Sequence, residues 1–141
     1  MQSFTVRATK LRRALSDFSE LEGKLATLVA DVSIALQNGA RAGAAAASSA
    51  GRDLGQDIEA FLVPHLKDIA AQVVSIIQKR NEGIYTDATT KDLLASEADA
   101  VKVLLETMTT LAVFEVQTIL NAIISALAAA VNAAVGFALL A

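Results

Sequence analysis

At 141 residues, 54% of them hydrophobic, the chain is long enough for one domain with a core of its own. Only 4% are aromatic and one residue is proline, so the apolar excess is alanine, leucine, valine and isoleucine, which points to an all-α fold rather than a sheet. A formal charge of −3 provides no general attraction to nucleic acid, and the absence of cysteine excludes disulfides, thiol catalysis and thiolate metal sites.

The first helix is expected over 5–37. Leu11, Leu15, Phe18, Leu21, Leu25, Leu28, Val32 and Leu36 recur at steps of three and four and form one stripe. Arg12, Arg13, Asp17, Glu20, Lys24 and Asp31 fall mostly outside it. The start is basic: Arg7, Lys10, Arg12 and Arg13 all precede the first acid, Asp17. That run reads first as a solvated helix start. With Phe4, Val6, Leu11 and Leu15 it also has the pattern of a short membrane-surface segment. Asn38-Gly39 is expected to end the helix in a left-handed turn. Residues 39–51, rich in alanine, glycine and serine, are then a flexible connection, with enough alanine for a helical stretch and side chains small enough to let two backbones pack closely.

A second helix is expected over 52–80, where Leu54, Ile58, Phe61, Leu62, Leu66, Ile69, Val73, Ile76 and Ile77 keep the helical phase across Pro64. Proline inside a helix removes the bond to the carbonyl of Ala60 and costs ~3 kcal/mol or more. The preserved phase therefore predicts a kink, or two abutting helices with Pro64 in the first turn of the second. "NEG" closes the element behind Lys79 and Arg80, which favour the negative end of the helix dipole.

The third helix opens in "TDATTKD", with Thr89 as N-cap and Asp92 three residues on. Leu94, Val101, Leu104, Met108 and Leu111 carry its stripe. Continued further, that phase would bring Glu115 into the core. The pattern instead restarts at Val116, Ile119, Leu120, Ile123, Leu127 and Val131, which predicts a break over 109–115.

Residues 116–141 carry no charge. At ~1.5 Å per residue they are enough to cross a ~30 Å hydrocarbon core. No Lys or Arg follows them, and no Trp or Tyr marks either end. Gln117, Asn121, Ser125 and Asn132 fall on one narrow stripe, the expected exposed edge of an otherwise buried bundle helix. Membrane insertion and an exposed surface for a ligand or a second copy are the alternatives.

Chemistry-bearing residues are sparse. His65 is the lone histidine, beside Pro64, and reads as a capping or solvated group. A di-iron bundle needs Glu-x-x-His pairs that one histidine does not supply. There is no nucleophile elbow, phosphate loop or calcium loop. Asp53, Asp57 and Glu59 cluster, as do Glu97 and Asp99, in the manner of solvated helix faces. Tyr85 is expected to pack over a bundle end or to guard a cavity mouth, and Phe4, Phe18, Phe61, Phe114 and Phe137 to be core. No enzymatic activity, cofactor or metal is expected.

"LATLVADVSIAL", an alanine-rich connection, "LKDIAAQVVSIIQKRN", "TKDLLASEADAVKVLLETM" and "VQTILNAIISALAAAVNAAV" follow one another over about residues 14–140. That order resembles the fungal hydrophobic-surface-binding and cell-wall mannoprotein helical domains. The resemblance implies a secreted, cysteine-poor bundle with a ligand tunnel between helices, binding fatty acids or oily surfaces without catalytic residues. "MQSFTVRATKLRR" lacks the apolar segment of a signal peptide, a departure from that family, so secretion to the cell wall rests on the resemblance alone.

The expectation is one domain over 1–141: an antiparallel bundle of four to five amphipathic helices with an apolar C-terminal helix. Its expected role is to bind an apolar ligand, lipid or fatty acid, or an apolar surface. Leu66, Ile69, Val73, Ile76, Leu104, Met108, Ile119 and Ile123 face the interior and are the candidate lining, each of them more simply a core residue. A membrane-active protein inserting its last helix, and a structural subunit burying that helix between copies, are the alternatives.

Overall fold

Alanine, leucine and the long unbranched side chains lose least on entering a helix, and among the described residues every regular element is helical. The computed structural model describes residues 2–48, 53–108, 110–136 and 139–140, and of residues 2–11 and 13–22 the backbone alone. Among the described residues, four helices form an all-α bundle: α1 (Gln2–Ala47), α2 (Gly55–Asn81), α3 (Asp87–Thr107) and α4 (Val113–Val135).

The flexible connection expected over 39–51 is corrected as far as Ala47, where the helical stretch and the close backbone packing named beside it are found instead. α1 continues through Asn38-Gly39 and ends at Ala47. Gly39 and Gly43 serve contact rather than turning. A Cβ on Gly39 would lie 2.8 Å from the Ala126 Cβ and 3.1 Å from the Ala122 carbonyl oxygen; one on Gly43 would lie 2.8 Å from the Ile119 Cα. Each glycine costs about 1 kcal/mol of helix propensity, and the close packing that it permits offsets that cost. Val32, Leu36, Ala40, Ala44 and Ala47 bury the same face. Ser48 closes the element, donating its hydroxyl to the Ala44 carbonyl at 2.7 Å and accepting the Leu54 N–H at 3.2 Å. The remainder of the expected connection, residues 49–52, lies outside the described residues.

Pro64 resolves as a local widening. Residues Ile58–Leu62 form a π-helical turn in which the Val63 N–H bonds the Ile58 carbonyl, five residues back. Pro64 then sits in the first turn of the α-helical stretch Val63–Asn81, where its missing N–H is best tolerated. Ile58, Leu62 and Leu66 all remain fully buried, so the apolar phase survives the irregularity. Past the end of α2, Gly83 turns the chain with a φ of +80°, the left-handed conformation that glycine adopts without strain. The Lys79 carbonyl accepts the Ile84 N–H at 2.9 Å, and the Lys79 ammonium lies 5.7 Å from the Tyr85 ring centre. Tyr85 is half-buried against the core.

The third helix starts earlier than its sequence signal. Thr86, not Thr89, is the N-cap: its hydroxyl accepts the Thr89 N–H at 3.1 Å. The break expected over 109–115 is shorter: α3 ends at Thr107 and α4 already begins at Val113, three residues before the apolar pattern restarts at Val116. Glu115 is nevertheless buried, and its carboxylate accepts the Ala112 N–H at 2.7 Å. A carboxylate in the first helical turn, bonded to an otherwise orphaned N–H, is stabilised by the helix dipole as well.

Along α1, moving from Gly39 to Gly43 shifts the contact on α4 from Ala126 back toward Ile119, so the two run in opposite directions. The shared core includes Leu36, Leu62, Leu66, Ile77, Leu105 and Ile119. The same substitution at two glycines tests this packing. Gly43→Ala should lower stability by about 1–3 kcal/mol through overpacking, despite alanine's better helix propensity. Gly23→Ala, at a helical position with nothing within 4 Å of the new carbon, should raise it by about 0.4–1 kcal/mol. Urea unfolding of the two variants checks both signs.

Candidate functional site

The residues chosen from sequence meet in space, but as packed interior. Leu66, Ile69, Val73, Ile76, Ile119 and Ile123 are buried members of the core, as is Met108, and Leu104 is half-buried against it. Of these, Met108 alone borders a described cleft, an open one shared with Asp57, Ala60, Phe61, Thr107 and Thr110.

The cleft with the chemistry of an apolar site lies elsewhere, between α3 and α4. α3 contributes Lys91, Leu94, Ala95 and Ala98; α4 contributes Ile124, Leu127 and Ala128; the C-terminal tail contributes Leu140. Its volume is about 240 Å³. Leu94 and Leu127 are buried and set the spacing of the two helices. The alanines between them are too short to fill the gap. Lys91, exposed, is the one charged group on the wall.

The tail reaches the cleft through two local devices. Gly136 takes a left-handed conformation (φ +83°), and its N–H caps the Asn132 carbonyl, which turns the chain back at the end of α4. The Asn132 side-chain amide then holds the Leu140 backbone at both groups, donating to its carbonyl and accepting its N–H, each at 2.8 Å. Leu139 is buried and Leu140 lines the cleft. Asn132 was expected on an exposed edge; it is half-buried and structural. Gln117, Asn121 and Ser125 do face solvent, with the Gln117 amide donating to Asn121 at 2.8 Å.

α4 is also less enclosed than expected. Its most apolar stretch has a mean hydropathy of 1.9 yet is only 28% buried, against 50% for that of α2. Val113, Phe114 and Ile124 are exposed on it. Phe114 and Phe61 are therefore surface residues rather than core, while the side chains of Phe4, Phe18 and Phe137 lie outside the described residues. Phe61 stacks obliquely on His65, which is exposed, with ring centres 5.5 Å apart.

Among the described residues, no group of three His, Cys, Asp or Glu is placed to hold a metal ion. Two carboxylates depart from their ordinary behaviour. The Arg41 guanidinium, hydrogen-bonded to Glu59, holds that carboxyl below the usual glutamate range, and partial burial pushes the Glu97 carboxyl above it. Neither lines the α3–α4 cleft.

Sequence periodicity missed Ala95, Ala98 and Ala128, because it finds the large apolar residues that fill space rather than the small ones that leave it; Ile124 and Lys91 lie off the apolar stripes, and Leu140 lies beyond the last one. Compared with protein-family models, with curated proteins and with solved structures, the chain matches none.

Replacing the two asparagines by leucine should separate their roles. Asn132→Leu removes both bonds to Leu140 and should cost about 1–2 kcal/mol, with faster hydrogen exchange at the Leu140 amide. Asn121→Leu should shift stability by no more than about 0.5 kcal/mol while lowering solubility.

Proposed function

We propose that this chain is a non-enzymatic, antiparallel four-helix bundle that binds an alkyl chain, as of a fatty acid or lipid, in the α3–α4 cleft. The single observation that carries this reading is the lining of that cleft: aliphatic side chains throughout, with one lysine at its edge. A volume of about 240 Å³ falls below the roughly 300–1,000 Å³ of drug-sized sites and suits one alkyl chain rather than a ring system. Each methylene taken from water contributes about 0.8 kcal/mol. Lys91 supplies a partner for a carboxylate or phosphate head group left at the rim. The resemblance to the fungal surface-binding domains points the same way, with the ligand moved from the centre of the bundle to the α3–α4 side.

Titration with a fluorescent fatty acid tests this. Ala98→Trp, which fills the cleft, should weaken binding at least tenfold with the helical circular dichroism unchanged. Lys91→Glu should weaken binding of the acid severalfold and leave binding of the matching alcohol unaltered. Equal affinity in Ala98→Trp and the parent would overturn the assignment.

A second reading, membrane insertion of α4, is favoured by that helix's high hydropathy and low burial. Its exposed leading residues, Val113 and Phe114, would enter first. Dye-loaded vesicles should then leak with the parent and stay intact with Val113→Asp/Phe114→Asp. A parent protein that neither sediments with vesicles nor releases dye rejects this reading.

A further inference from the structure

α1 is longer than anything in the chain that packs on it. Its 46 residues span about 69 Å at 1.5 Å each, and the 23 residues of α4 about 35 Å. The contacts at Gly39 and Gly43, and the cleft that joins Leu28, Asp31, Val32 and Ala35 to Ala130, Ala133 and Ala134, set the register between them. On that register the end of α4 falls level with about residue 29 of α1. α2 starts alongside the other end of α1, with the Leu54 N–H on Ser48 and Glu59 paired with Arg41. Followed back along α1 from there, its end falls level with about residue 20. The helical backbone that begins at Gln2 thus runs on past both for roughly 27 Å.

The apolar stripe does not stop where the bundle stops. Leu11, Leu15, Phe18 and Leu21 continue the phase of Leu25, Leu28, Val32 and Leu36. An isolated helical segment of this length is marginal in water, and most helical stability comes from a packed apolar face. The charges on this segment are sorted into blocks: Arg7, Lys10, Arg12 and Arg13, then Asp17, Glu20 and Glu22.

We propose that the projecting start of α1 pairs antiparallel with the same segment of a second copy of this chain, about a two-fold axis near Leu15. That arrangement sets the basic block of each copy level with the acidic block of the other. Lys10 comes level with Glu20 and Arg13 with Asp17, and the two-fold repeats each pair. Parallel pairing would set like charge beside like. An anionic membrane would attract the basic block and repel the acidic one within about 22 Å of helix, whereas a reversed second copy satisfies both. This inference is independent of the α3–α4 cleft, which lies on other helices.

Sedimentation velocity of the full chain from about 1 to 100 µM tests the pairing. The parent should move from one to two times 14.7 kDa. Lys10→Glu/Arg13→Glu and Asp17→Lys/Glu20→Lys, each alone, should self-associate about tenfold more weakly or worse. Mixed together, the two variants should dimerise as well as the parent, because each now complements the other; that recovery also shows that both are folded. A parent that stays monomeric throughout overturns the proposal, as does a dimer indifferent to these exchanges. Sedimentation with phosphatidylserine vesicles that is lost in Lys10→Glu/Arg13→Glu, without any dimer, would overturn it in favour of a lipid surface.

Discussion

The approach of α1 to α4 at Gly39 and Gly43 is the contact on which the rest of the structure depends. Alanine-rich helix faces offer little apolar area per residue, so they gain cohesion by coming close enough for backbone atoms to touch. The hypothetical Cβ distances of 2.8 Å at both glycines show how close that is. No other residue would fit without separating the helices. The contact fixes the register of α4 on α1. At the far end of α4, Gly136 and Asn132 turn the tail back and bring Leu140 to the mouth of the α3–α4 cleft.

The same contact explains how α4 does without charge beyond Glu115. One face lies on α1 and a second meets α3, while the outward strip carries amides and a hydroxyl at Gln117, Asn121 and Ser125. Bonding between Gln117 and Asn121 satisfies part of their polarity internally. Such a strip is wet enough for water and costs far less than ionised side chains to bury. The first turn of α4 relies on Glu115, which lies inward, to hold the Ala112 N–H.

Much of the fold was legible in the sequence. Helical period alone located the apolar stripes of α2, α3 and α4, that of α1 from Leu25 to Leu36, the phase across Pro64 and an interruption between α3 and α4. The exceptions share a cause: local signals and distant contacts use the same residues. Asn38-Gly39 has the chemistry of a helix end, and only α4 makes it helix interior. Thr86 and Thr89 are both competent caps, and the start of the turn after Gly83 decides between them. Glu115 looks misplaced in a core until its bond to Ala112 is seen. The polar stripe of α4 was right for three residues, but Asn132 serves a tail whose return no local pattern encodes.

The candidate site was less legible for a reason rooted in packing. Large aliphatic residues at helical spacing are the ones that a bundle consumes to hold itself together, as Leu66, Ile69, Val73, Ile119 and Ile123 do here. A space for a ligand arises where large residues hold two helices apart and small ones face each other between them. Leu94 and Leu127 do the first, and Ala95, Ala98 and Ala128 the second. In an alanine-rich chain the small residues are everywhere, so their pairing across helices, rather than their presence, marks the site. That pairing is set by the register of α3 on α4, which the buried Leu94 and Leu127 hold from within the bundle.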